Sequence, residues 1–182
     1  MKPDRRFIAT IATSALLLVL TGCAAGGGAE SESASGACVT DLTATFPDGT
    51  EVGLSESAAV NFGDEVSYTM YAADFAYGDE NLLVEFPQVP ADGHLAAVST
   101  VVFNRESDVA ALEAGQEIVW STEMDALTFT AILAAGDEQF GLSSNGEGTL
   151  TVLEVGEQIC VEIDYSDDQK SLTGTLAADV QS

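Results

Sequence analysis

The residues able to do chemistry are few in kind. The 182-residue chain holds one His, three Cys, and 30 Asp and Glu against 5 Lys and Arg. A serine or cysteine nucleophile activated by imidazole would have to use His94. That residue ends Pro90-Ala91-Asp92-Gly93-His94, which is turn sequence, and His94 reads as an exposed turn residue. Ser143 follows Gly141-Leu142, but the next Gly stands at 146, one place too late for a nucleophile elbow. Carboxylates are so abundant that no pair of them marks the acid and base of a glycan hydrolase. The densest group, Asp164, Asp167 and Asp168, offers oxygen ligands suited to calcium, yet it lacks the spacing and closing Glu of an EF-hand. It reads as a solvated hairpin tip, as does the weaker Asp79-Glu80-Asn81. These residues predict no enzyme, no metal site and no cofactor.

Aromatic residues give a different signal. Tyr68, Tyr71, Phe75 and Tyr77 fall within ten residues. Period-two patterning sends Tyr68 to the core, while Tyr71, Phe75 and Tyr77 approach the loop before Gly78, where rings could hold a small ligand or a protein partner. Trp120, between Val119 and Ser121, reads as core.

The three cysteines divide by position. Lys2, Arg5 and Arg6 form a basic start, and Phe7 to Leu20 follow as an uncharged apolar run, too short to span a bilayer comfortably. Residues 1–22 therefore read as a signal peptide. Its last three residues and the next one, Leu20-Thr21-Gly22-Cys23, resemble the lipobox of bacterial prolipoproteins. The resemblance implies that the Cys23 thiol takes a diacylglyceryl group, that cleavage makes Cys23 the first mature residue, and that its new amine is acylated. It covers the signal and its Cys alone. Each buried methylene contributes about 0.8 kcal/mol, and more than one acyl chain converts marginal binding into stable anchoring. The implied location is the cell membrane, lipid-anchored on the extracytoplasmic face. Lipid on Cys23 leaves Cys38 and Cys160, one at each end of the folded part, in a compartment where thiols oxidise; the expectation is a disulfide between them.

The elements follow from composition and period. Residues 23–36 are Gly, Ala, Ser and Glu after the Cys, with nothing large to bury, and predict a flexible tether. Residues 37–182 carry enough of the 46% hydrophobic content to form a core, and one domain is expected. Strand alternation recurs at 38–46, 66–72, 82–86, 127–133 and 171–180, and both faces are apolar at 95–104, 117–121, 149–155 and 158–165. Gly followed by two acidic or amide residues marks turns at 63, 78, 115, 136 and 156, spacing that favours antiparallel connections. The expected fold is all-β, an antiparallel β-sandwich, with a β-barrel as the alternative. One short helix is expected at 107–114, between a Ser107 or Asp108 cap and Gly115. Strict alternation places Cys160 with Glu162 and Asp164 instead of Ile159, Val161 and Ile163, so the bridge needs a sheet edge or a bulge.

Charge narrows the partners. A formal net charge of −25 excludes nucleic acid, whose binding depends on Lys and Arg displacing counterions. Loss of residues 1–22 removes three of the five cations and leaves Arg105 and Lys170. Such a body is repelled by anionic lipid and attracts cationic envelope proteins or ligands. The sequence thus predicts a non-enzymatic binding or envelope-interaction module. A lipid or small-molecule carrier with a cavity between its sheets is the first alternative, and a carboxylate-dependent glycan hydrolase the second.

Overall fold

Alternation of apolar and polar residues resolves into eleven strands. A computed structural model of the protein describes residues 38–63, 66–77, 82, 86–103, 109–123 and 126–181, all within the unit Ser35–Ser182. The signal peptide, Cys23 and the expected tether lie outside the described residues. In chain order the strands are β1 (Asp41–Thr45), β2 (Glu51–Leu54), β3 (Glu56–Asn61), β4 (Tyr68–Ala73), β5 (His94–Val102), β6 (Glu117–Val119), β7 (Leu127–Ala135), β8 (Glu138–Gly141), β9 (Glu147–Glu154), β10 (Gln158–Ser166) and β11 (Ser171–Gln181). They form one sheet in the order β6-β9-β10-β11-β3-β4-β5-β7-β8, with β1 also paired to β11 and β2 to β1.

The long strand β11 makes the corner. Ser171 to Asp179 pair antiparallel with β10, and Ser171 to Thr175 with β1 on the other side. Val180 and Gln181 then lie parallel to Ala59 and Val60 of β3, the one parallel pairing among the described strands. One wall, β6-β9-β10-β11-β1-β2, thereby passes into a second, β3-β4-β5-β7-β8. Both walls contribute to a single apolar cluster that includes Leu42, Met70, Val98, Phe129, Leu150, Ile163 and Leu172, each at most 1% exposed. The fold is all-β, an antiparallel sandwich made from one curled and open sheet. Burial of this kind is worth about 25 cal/mol per Å² of apolar surface and is what holds the two walls together.

Gly174 permits the corner. Its φ is +120°, and a Cβ there would run into the carbonyl oxygen of Asp41 on β1. No side chain fits, and the backbone conformation is one that L residues rarely adopt.

Cys160 is resolved by a bulge in the neighbouring strand. Ile159, Val161, Ile163 and Tyr165 face the core, so Cys160 is on the outer face, yet it is fully buried. Opposite it, pairing jumps from Cys160–Glu154 to Val161–Val152 and leaves Leu153 as the extra residue in β9. Cys38 is bonded to Cys160, with Cα atoms 6.3 Å apart and 122 residues between them in sequence. Since β1 lies on one side of β11 and β10 on the other, residues 38–40 must cross β11 to reach that sulfur. Thr40 marks the crossing: its hydroxyl donates to Ala177 O at 2.7 Å and accepts from Ala177 N at 3.0 Å, replacing a backbone partner.

Three expectations need correction. The described part of the expected helix, 109–114, is irregular chain ending in a turn: Leu112 is buried in the core, and Gly115 N donates to Val152 O at 2.7 Å. Anchoring to the sheet at both points leaves no helical turn. The expected strand at 82–86 is not one at its described ends, since Leu82 lies in a turn and Phe86 in irregular chain. Leu82 instead joins a second cluster on the outer face of the β3–β8 wall with Val60, Ala73 and Leu95. Finally, β2, β3 and β8 were not expected as strands; Ala58 and Val60 of β3 face this second cluster while Ala59 faces the first.

Candidate functional site

The structure builds three places where polar or aromatic groups converge, and they differ in how fully their groups are used. The first is a locked cluster at the β10–β11 turn. Asp167, whose side chain is fully buried, accepts from the backbone N–H groups of Gln169 (2.8 Å) and Lys170 (2.7 Å), from the Tyr165 hydroxyl (2.9 Å) and from Lys170 Nζ (3.0 Å). Burial alone would raise the Asp167 pKa, but hydrogen bonds from Ser143, Gln169, Lys170 and Tyr165 overcome it and hold the carboxyl well below its ordinary value. Lys170, itself buried, also donates to Ser143 Oγ at 3.1 Å, and Ser143 N donates to the Tyr165 hydroxyl at 2.9 Å. Burial, first among several causes, raises the Tyr165 phenol. Gly146 makes room, because a Cβ at this position would strike the Tyr165 hydroxyl. Ser143 stands beside a lysine, and Lys170 Nζ bridges the serine hydroxyl and the Asp167 carboxylate in one hydrogen-bonded group.

This cluster also corrects the reading of the acidic tip. Asp167 is a buried ion-pair partner and not a solvated residue, whereas Asp168 and Asp164 are exposed, the latter on the outer face of β10. Among the described residues no three His, Cys, Asp or Glu side chains converge as metal ligands would.

The second place is a shallow groove of about 480 Å³ beside Trp120, lined by Glu147, Thr149, Asp164 and Ser166. Trp120 is half-buried and meets Phe129 and Tyr165 edge to face at 6.1 and 6.2 Å. Glu147 and Asp164 face this groove together, as glycan hydrolysis would require. Both are exposed, and Val119 and Trp120 line the groove beside them.

The third is a cleft of about 280 Å³ at the rim, lined by Phe46, Pro47, Asp48, Thr50, His94, Ala135, Glu138 and Phe140. Four segments supply it: the β1–β2 turn, the start of β5, the end of β7 and strand β8. The Phe46 ring lies 5.0 Å from the His94 ring and 6.4 Å, edge to face, from Phe140. Asp74, after β4, holds His94 twice, by Oδ1 to the backbone N–H and by Oδ2 to Nδ1, each at 2.8 Å. A carboxylate only accepts, so Nδ1 carries the proton, and in the neutral ring Nε2 is left as an acceptor. Asp48 accepts from Thr50 N at 2.9 Å; that backbone bond, with the Thr50 hydroxyl, lowers the Asp48 pKa. His94 is thus no loose turn residue but a strand-start residue fixed in a cleft, a role that turn composition could not show.

The expected aromatic patch is brought together but turned inward. Tyr71 is buried in the second cluster and packs edge to face on Phe86 at 6.0 Å; burial raises its phenol. Phe75 and Tyr77, half-buried, meet at 5.9 Å, and Phe75 lies so close over Gly93 that a Cβ there would be 2.9 Å from its ring. These rings cover the outer face of a sheet.

Together the fold and these sites define an all-β, disulfide-braced domain with a rim cleft. Comparison with protein-family models, curated proteins and solved structures finds no match for the chain.

Proposed function

We propose that the protein is a lipid-anchored lipoprotein of the extracytoplasmic face whose β domain is a non-enzymatic binding module. One observation carries the reading: Cys38 and Cys160 are paired, which fits an oxidising compartment and leaves the lipobox Cys23 as the one remaining thiol. The chain enters the domain at Cys38 and runs along β1 to the cleft at Phe46, so the tethered end and the cleft are separated by β1, roughly 17 Å of extended chain. The packed cluster between the walls supports surface binding over carriage in an internal cavity. The acidic body selects cationic partners.

Mass spectrometry of the protein extracted from membranes tests the anchor. The expected mass lacks residues 1–22 and carries a diacylglyceryl group and a further acyl chain on Cys23, and Cys23→Ser moves the protein to the soluble fraction. An unmodified Cys23 in membrane extracts overturns the anchor.

A further inference from the structure

We propose that the cleft formed by Phe46, His94 and Phe140 binds an organic cation, an alkylammonium or guanidinium group, borne by a free amine or by a Lys or Arg side chain. The proposal rests on the domain being a binding module and not on its lipid anchor.

The carboxylate oxygens that Asp48 and Glu138 offer a ligand accept and do not donate, and so does Nε2 of a neutral His94 ring. Asp48 is held in its charged form by Thr50, Glu138 contributes a second exposed carboxylate, and in the neutral His94 ring the pinned Nδ1 leaves Nε2 as an acceptor. An anion would meet like charge here. An uncharged apolar ligand would desolvate two carboxylates with nothing to pair them, a cost that a cation removes. The rings suit the same guest: Phe46, only 2% exposed, is the apolar floor of the cleft, and the half-buried Phe140, edge to face with it, brings its ring to the wall, where a cation over an aromatic face gains about 0.5–1 kcal/mol. The volume of about 280 Å³, at the small end of ligand sites, suits a small guest or a single side chain. The surplus of acids over the whole chain raises the local concentration of cations and speeds their encounter. The locked cluster at Asp167 supplies the contrast, since its carboxylate already has a lysine.

The chain has a single His, which makes its imidazole resonances an unambiguous reporter of the cleft. Full-length protein in detergent micelles is titrated with n-butylammonium chloride, with n-butanol as the uncharged isostere, and with N-acetyl-lysine methylamide as the side-chain form. The His94 signals are expected to shift saturably with butylammonium and not with butanol. In the double variant Asp48→Asn/Glu138→Gln, with an unchanged urea midpoint, the dissociation constant is expected to rise at least about fivefold. Tighter binding of the lysine amide than of butylammonium assigns the site to a protein side chain, and the reverse order to a free amine. No saturable shift up to about 50 mM, an equal response to butanol, or unchanged affinity in the double variant overturns the proposal. The titration needs no processing at Cys23, so its failure leaves the mass-spectrometric test of the anchor unaffected.

Discussion

The Asp167–Lys170 cluster and the His94 cleft are built from similar parts. Each has aromatic rings, a carboxylate paired with a basic side chain and a turn that closes it. At the β10–β11 turn the carboxylate has four donors, and the two paired side chains are 0% and 6% exposed. At the rim, His94 and Asp74 are 23% and 26% exposed, and Asp48 and Glu138 open onto the cleft. A saturated, buried group contributes to stability and has nothing left for a ligand; an unsaturated, wet one contributes little to stability and keeps its charge for a guest. The two regions should therefore respond to substitution in opposite ways.

The largest effect lies with a bond outside both regions. Replacing Cys38 and Cys160 by Ser removes closure of a loop of about 120 residues, worth about 5 kcal/mol in the chain-entropy model. Urea denaturation should show that loss, while whatever fraction remains folded keeps its butylammonium affinity, because the bridge is separated from the cleft by β1. A loss below about 1 kcal/mol would show that residues 38–40 are held mainly by Thr40 and not by the bond.

Next is the locked cluster. Asp167→Asn leaves Lys170 buried without its counter-charge and should cost about 3 kcal/mol. The acid response distinguishes this from a packing effect. The folded pKa of Asp167 is depressed below its ordinary 3.8, so its stabilisation is complete above that value and declines as pH falls below it toward the folded value. Wild-type protein should lose stability more steeply than Asp167→Asn below about pH 4, as read from urea midpoints across pH 2–6. Parallel curves would mean that the carboxylate is no better held than the solvated acids around it.

The same contrast explains what could be read from the chain. The walls were legible where alternation is strong, as in Leu127-Thr128-Phe129-Thr130, and the disulfide was legible because two of three cysteines remain once the lipobox takes one. Strand β3 was not: Ser57-Ala58-Ala59-Val60 buries both faces, one against each cluster, so small residues replace alternation. The segment 107–114 shows helix signals locally, but in its described part, 109–114, contacts with β9 and the core override them. The acidic tip and His94 were both seen, and both were read from neighbours in sequence. Their partners come from afar, Ser143 for Lys170 at 27 residues, and Phe46 for His94 at 48. Nothing in Pro90-Ala91-Asp92-Gly93-His94 indicates a ring arriving from the end of β1. The pairing of Tyr71, Phe75 and Tyr77 was visible, whereas the direction they face was decided by the second cluster beneath them.

The smallest effect is expected at Asp74, and it sharpens the comparison most. An exposed carboxylate–imidazole pair contributes about 0–1 kcal/mol, so Asp74→Asn should shift the urea midpoint very little, unlike Asp167→Asn. Its consequence is in the ring. An Asn carboxamide can turn either its oxygen or its NH₂ toward Nδ1, so the constraint that keeps the proton there is lost. Nitrogen-15 spectra of the single histidine should show one dominant tautomer in wild type, protonated at Nδ1, and a mixture in the variant. Because the Nε2-protonated form presents a donor where the cleft needs an acceptor, butylammonium affinity should fall with the fraction of that form, at nearly constant stability. A variant that keeps the wild-type nitrogen pattern would show that the strand-start backbone, and not the Asp74 carboxylate, orients the imidazole.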